Sequence, residues 1–168
     1  MSNDGAALIR GESVESQLRH LIRSYSSVLV ALSGGVDSSL VAYLAKQELP
    51  TKTLAVTGVS ASIGPDELQE VRAFCKSLAL DSIEIPTLEL QNPNYVNNAP
   101  DRCFYCKDTL YAALKGEAQK RGLQVIADGT HQEDLQHHRP GHQAALKYGI
   151  QSPLLRVGLT KQQIRQLA

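Results

Sequence analysis

The sequence predicts an α/β domain: a parallel sheet with helices on both faces. Three observations carry this. Short apolar, β-branched runs alternate with stretches of helical apolar spacing along the whole chain, the pattern of βαβ units. Two polar, glycine-containing motifs, at 33–39 and 128–130, directly follow such runs, where ligands bind in open parallel sheets. The 168 residues, 42% hydrophobic and 20% charged, correspond to one ordinary globular domain.

Val14, Leu18, Leu21, Ile22 and Tyr25 predict an amphipathic helix over residues 13–25. Val28 to Leu32 is a buried strand, broken at Ser33-Gly34-Gly35. Helical spacing resumes over 38–47, with Leu40, Val41, Leu44 and Ala45 on one side. Thr53 to Val59 is a second strand. Pro65-Asp66-Glu67 opens a helix, with proline in the first turn and acids at the positive dipole end, and Leu68, Val71, Cys75 and Leu78 form its stripe. Ser82 to Ile85 is a third strand, ended by Pro86. Asparagines and prolines make Gln91 to Asp101 a loop. Leu110, Tyr111, Leu114 and Ala118 mark a helix stopped near Gly122, and Gln124 to Ala127 is a fourth strand. Pro140 to Tyr148 reads as a helix closed by Gly149. Thr160 with Gln163 forms a capping box, and Ile164 and Leu167 begin an apolar stripe. A helix started this well is expected to continue, which reads as a truncated product or fragment; the alternative is a short docked terminal helix.

Lysine and arginine balance aspartate and glutamate at 17 each, which argues against a protein devoted to nucleic acid, because phosphate binding needs a basic face. No apolar run approaches a bilayer span and the first residues lack a signal-peptide core, so the expected location is cytoplasmic.

The strongest motif is Ser33-Gly34-Gly35-Val36-Asp37-Ser38-Ser39, between a strand and a helix. Glycines let backbone amides approach an anion, a helix N-terminus supplies unpaired N–H groups, and the three serines add hydroxyl donors. Asp37 would repel phosphate unless a divalent cation stood between them, which marks it as a magnesium-organising carboxylate. No lysine follows the glycines and there is no G-x-G-x-x-G, so this is neither a Walker loop nor a dinucleotide fingerprint. The bland reading is a glycine-rich turn with Asp37 and Ser38 capping a helix.

Ser-Gly-Gly-Val-Asp-Ser after a strand resembles the pyrophosphatase loop (PP-loop) of the N-type ATP pyrophosphatases, which split ATP into AMP and pyrophosphate. Ala55-Val56-Thr57-Gly58-Val59-Ser60-Ala61-Ser62, Asp101-Arg102-Cys103-Phe104-Tyr105-Cys106-Lys107, Asp128-Gly129-Thr130 and Arg139-Pro140-Gly141 follow in an order similar to the LarE family of pyridinium biscarboxylate mononucleotide sulfurtransferases. That resemblance implies an adenine-nucleotide alpha-hydrolase-like (HUP) fold. It also implies adenylylation of a substrate carboxylate by Mg2+-ATP, followed by sulfur insertion in nickel-pincer cofactor biosynthesis. It covers nearly all of residues 13–168, implies that the family's C-terminal half is absent, and leaves residues 1–12 as a flexible N-terminus. Two other readings stay open: a tRNA-thiolating enzyme of the same superfamily, or a non-catalytic ATP-binding fragment.

Cys103 and Cys106, flanked by Arg102 and Lys107 at the mouth of a helix, suit a redox pair, a zinc site with ligands among His131, His137, His138 and His142, or an iron–sulfur cluster needing a third thiolate. Cys75 lies on an apolar stripe and reads as a buried small hydrophobe. The resemblance implies a four-iron four-sulfur cluster in the complete enzyme, with its third cysteine downstream.

Asp128-Gly129-Thr130 ends a strand on the same sheet edge as the phosphate loop. The LarE-type pattern usually has Asn after that threonine; here it is His131. Asp134, Arg139 and Lys107 are candidate substrate or phosphate contacts. Val59 and Ser60, at the end of the second strand, are candidates for backbone recognition of adenine, with Ser62 assisting. The expected catalytic group is Asp37, Lys107, Asp128 and Arg139. The expected nucleotide-binding group is Ser33, Gly34, Gly35, Val36, Asp37, Ser38, Ser39, Val59, Ser60, Gly129 and Thr130. The expected partner is a small-molecule nucleotide rather than a membrane or nucleic acid, and assembly as a homo-oligomer stays open.

Overall fold

Four parallel strands form the frame: β1 (Val28–Ala31), β2 (Thr53–Val59), β3 (Ser82–Pro86) and β4 (Val125–Ala127), in spatial order β3-β2-β1-β4. The computed structural model describes residues 11–61, 63–88, 91, 93–97, 102–136 and 140–168, of which 94, 95, 102, 103 and 140 are described by backbone only. Most of the N-terminal stretch expected to be flexible therefore lies outside the described residues. Val28 pairs with Thr53 on one side and Val125 on the other. A parallel bridge from Ala127 to Gln151 extends the sheet beyond β4.

Strand side chains alternate between faces, and each face has its own core. Val28 and Val30 point to one cluster, built with α1 (Val14–Arg23), α2 (Val36–Glu48) and α3 (Pro65–Ser77) through Leu18, Ile22, Val41, Leu44 and Val71. Leu29, between them in sequence, points to the other, built with Tyr111, Leu114, Ala118, Ala144 and Ala145. Those residues belong to α5 (Arg102–Arg121) and α6 (Pro140–Lys147). The fold is thus the expected parallel α/β sheet with helices on both faces. No described helix is long and apolar enough to cross a membrane.

β2 matches its predicted span, Thr53–Val59. Helix starts and stops follow local chemistry. Ser13 accepts from Ser16 N at 3.1 Å to cap α1, and Gly122 and Gly149 take positive φ after α5 and α6. The capping box at Thr160 opens α8 (Lys161–Leu167). Three features differ from expectation. A one-turn helix, α4 (Pro93–Val96), sits inside the predicted loop. α5 starts at Arg102, two turns before its apolar stripe, and the Cys103/Cys106 pair lies in its opening turns. A short helix, α7 (Pro153–Arg156), follows the bridge at Gln151 and buries Pro153 and Leu154.

The topology positions the site. From β1 the chain runs to β2 and β3 on one side, then returns to β4 on the other, so a crevice opens at the carboxyl ends of β1 and β4. The loop after β4 closes onto α2 there. A Cβ on Gly129 would stand 2.6 Å from Ser38 N and 3.0 Å from Asp37 C, both backbone atoms that cannot swing away. Gly129→Ala is therefore expected to destabilise the chain by about 1–3 kcal/mol through overpacking. Urea denaturation against wild type checks this, and an unchanged midpoint would contradict it.

Candidate functional site

The phosphate loop is shaped by one glycine and one buried serine. Gly34 has φ +91, and a Cβ there would meet Val71 Cγ2 of α3 at 2.9 Å. Ser38, 4% exposed, accepts from Ser33 N at 3.1 Å, lies 3.0 Å from Ser33 Oγ and donates to Gly35 O at 3.3 Å. The loop thus wraps its own helix start. Gly35 is the N-cap of α2 and brings no side chain to the first-turn amides. That leaves N–H donors and the positive dipole end directed at the crevice.

Two clefts meet over the end of β1. One, of about 320 Å³, lies between β1 and β4; Ser33, Gly35, Asp37 and Ser38 face Lys107, Tyr111, Asp128, Gly129, Thr130, Asp134 and His142 across it. The other, of about 290 Å³, lies over β1 and β2 and is lined by Leu32, Val56, Thr57, Gly58, Ser60, Ile63, Glu67, Thr87 and Cys106. Ala31, Ser33 and Leu110 border both.

Asp37 is held from two sides. Lys161 Nζ, from the first turn of α8, stands 2.5 Å from Oδ1. His131 Nε2 lies 3.6 Å from Oδ2 and 3.5 Å from Asp134 Oδ2. His131 is 7% exposed. Glu133, on the 3-10 turn Gln132–Leu135, accepts from Lys161 N at 3.0 Å, which ties that turn to the start of α8.

Asp128, expected in the catalytic group, lines the crevice from the end of β4. It is 5% exposed, and both carboxylate oxygens are engaged. Oδ2 accepts from Tyr111 Oη at 2.8 Å and Thr130 Oγ1 at 2.9 Å. Oδ1 accepts from Thr130 N at 3.1 Å and Ser152 Oγ at 2.7 Å. A carboxylate holding four donors organises the second loop. Burial and the Asp128 charge hold the Tyr111 phenol well above its ordinary pKa.

Other expected residues separate. Val36 and Ser39 line an apolar flank with Leu40, Tyr43, Phe74 and Leu167, so the Ser39 hydroxyl is not at the crevice. Ser60 lines the β1/β2 cleft, but Val59 does not, and Thr87 N occupies its carbonyl at 2.9 Å. Gly58 takes the place expected of Val59. Arg139, His137, His138 and Ser62 lie outside the described residues. Cys75 is 2% exposed in the α3 core, with its thiol pKa pushed up by burial. Among the described residues no three of His, Cys, Asp and Glu gather as metal ligands; the Cys103 side chain, His137 and His138 lie outside them. Sequence reasoning missed Lys161 as a site residue, along with Tyr111, Ser152 and Glu133. The only local signal was the capping box, which places Lys161 at a helix start without saying what it faces.

The family model for NAD synthase matches residues 12–102. The chain belongs to the NAD synthase family. This NAD synthase family member is 37% identical over 94% of its length to an uncharacterized protein of Synechocystis sp., covering 59% of that protein. It is 29% identical over 88% of its length to pyridinium-3,5-bisthiocarboxylic acid mononucleotide synthase of Lactiplantibacillus plantarum, covering 54% of it. It thus spans little more than half the length of these relatives. An NH3-dependent NAD synthetase from Campylobacter jejuni superposes with TM-score 0.70 over 92% of this chain and 70% of that one, at 18% identity, a likeness of fold. The resemblance to PP-loop enzymes read from the sequence therefore stands.

Two buried phenols separate used from unused hydroxyls. Tyr111 Oη donates to Asp128, whereas Tyr25 Oη is buried and, among the described residues, has no partner, and burial pushes its pKa up to about 12. Tyr111→Phe is expected to cost about 1.5–3 kcal/mol and Tyr25→Phe to be neutral or stabilising, measured by urea denaturation. A raised phenol pKa favours folding below the unfolded value of about 10. For Tyr25 that stability is lost as pH rises toward the folded value, about 12. Tyr25→Phe is therefore expected to flatten the alkaline fall in stability; an unchanged fall would contradict the assignment.

Proposed function

We propose that this chain binds Mg2+-ATP and transfers AMP to a carboxylate of a pyridinium biscarboxylate mononucleotide, preparing that carbon for sulfur insertion. The observation that carries the reading is the phosphate loop, with Asp37 and Lys161 at its mouth, opening on two joined clefts. The likeness to pyridinium-3,5-bisthiocarboxylic acid mononucleotide synthase supports the choice of substrate. The cleft over β1 and β2 has the apolar walls an adenine needs, the loop takes the phosphates, and the β1/β4 cleft takes the acceptor.

Magnesium fits the donor set. Mg2+ keeps several waters and binds through one or two carboxylates plus substrate phosphates, so a lone carboxylate beside a phosphate cradle is sufficient. Asp37 would hold it, and bound there it would neutralise charge on the departing pyrophosphate. Among the described residues no ligand set for an iron–sulfur cluster gathers.

The chain's own groups carry the rest. First-turn amides of α2 and the Ser33 hydroxyl bind phosphate oxygens. Lys161, released from Asp37, supplies a mobile positive charge at the loop mouth. The acceptor carboxylate oxygen attacks the α-phosphorus, the bond to the β-phosphate oxygen breaks, and pyrophosphate leaves with that electron pair. No general base is needed, because a carboxylate is already deprotonated at neutral pH. A sulfur nucleophile then displaces AMP from the acyl carbon. Asp128 keeps the second loop in place through Tyr111, Thr130 and Ser152.

Pyrophosphate release from Mg2+-ATP on adding the pyridinium biscarboxylate mononucleotide tests the reading. The expected result is release that depends on that nucleotide and falls about a hundredfold or more in Asp37→Ala and about tenfold or more in Lys161→Ala. ATP binding with no nucleotide-dependent release would defeat it for this chain.

A further inference from the structure

Opposite the phosphate loop, the β1/β4 cleft is walled by α5 and α6, and the two helices meet around a lysine stem. A Cβ on Gly141 would stand 2.6 Å from Lys107 Cδ and 3.1 Å from Cε, so glycine there lets the stem lie flat between the helices. Lys107 Nζ is then 6.0 Å from the Tyr111 ring centre, inside the cleft. Lys147 Nζ to Asp108 Oδ1, at 2.7 Å, ties the far end of α6 to α5.

His142 follows Gly141 and lines the same cleft. Its Nδ1 is buried and, among the described residues, has no hydrogen-bond partner. A neutral imidazole carries one N–H donor and one acceptor nitrogen, so His142 has hydrogen-bonding capacity at Nδ1 that no described residue takes up. His142 thus brings this imidazole to the cleft that Lys107 also lines, on a wall shared with Leu110 and Tyr111.

We infer that His142 and Lys107 form a two-point seat for the planar, aromatic carboxylate of the second substrate. An imidazole N–H of His142 donates to one carboxylate oxygen and makes His142 a specificity-determining residue, while Lys107 supplies the countercharge. This deepens the proposed function and rests on it: the nucleotide phosphates occupy the loop, and the acceptor lies against α5 and α6.

The test is calorimetric binding of pyridinium biscarboxylate mononucleotide to the chain saturated with a non-hydrolysable Mg2+-ATP analogue, alongside the affinity for the analogue alone. His142→Phe removes the donor and is expected to weaken binding of the mononucleotide about tenfold or more, the loss of a hydrogen bond to a charged group. His142→Gln, which keeps an N–H donor, is expected to restore most of it. Unchanged affinity for the analogue shows that the fold survives. Where Phe disturbs α6, His142→Met removes the donor with a flexible side chain and is expected to give the same loss. Wild-type affinity for the mononucleotide in the donor-free variants would overturn the inference alone. Failure of the wild-type chain to bind the mononucleotide while it binds the analogue would overturn the proposed function, and the inference with it.

Discussion

Everything at this site depends on two backbone segments lying closer than side chains would allow. The loop after β4 rests on the first turn of α2, with room at Gly129 for a hydrogen and nothing larger. This contact joins the carboxyl ends of β1 and β4 and sets the width of the crevice between them. It brings Asp128 and Thr130 from one loop against Asp37 and Ser38 from another. The hydrogen bonds to Asp128 hold the approaching segment: four donors from three residues fix a carboxylate that would otherwise be costly to bury.

The charge arrangement follows from that geometry. Asp37 sits at the positive end of α2, where a carboxylate is favoured, yet it also faces the place where phosphates would arrive. Lys161 resolves the conflict by pairing with Oδ1. Both side chains of the pair are about a quarter exposed, 25% and 23%, so it opens on the crevice. The pair is a reservoir of one negative and one positive group at the loop mouth. One suits a cation and the other suits a phosphate.

Much of the frame was legible because it is local. Apolar alternation marked the strands, and β2 runs from Thr53 to Val59 as its residues suggest. The Ser33–Ser39 motif announced itself by its place between a strand and a helix. What was illegible depends on contacts between distant segments. Lys161 reaches Asp37 across 124 residues, and nothing in the helix that bears it marks a partner. The donors that Asp128 takes from Tyr111 and Ser152 lie on other elements, and nothing in the Asp-Gly-Thr motif marks them. Ser39 has the same composition as its neighbour Ser38, but one residue along a helix turns a side chain by about 100° and moves its hydroxyl to the flank. The partner of the Val59 carbonyl is also distant in sequence, since Thr87 at the start of the segment after β3 donates to it.

In the proposed reaction the acceptor oxygen, not water, attacks the α-phosphorus of ATP in the crevice between β1 and β4. Heavy-oxygen labelling of the substrate carboxylates tests it most directly. The chain is incubated with Mg2+-ATP and labelled pyridinium biscarboxylate mononucleotide, the reaction is quenched with hydroxylamine to cleave any acyl adenylate at carbon, and the AMP is weighed by mass spectrometry. The account predicts AMP carrying one labelled oxygen from the carboxylate. AMP that carries none, with its new oxygen drawn from solvent, would contradict it.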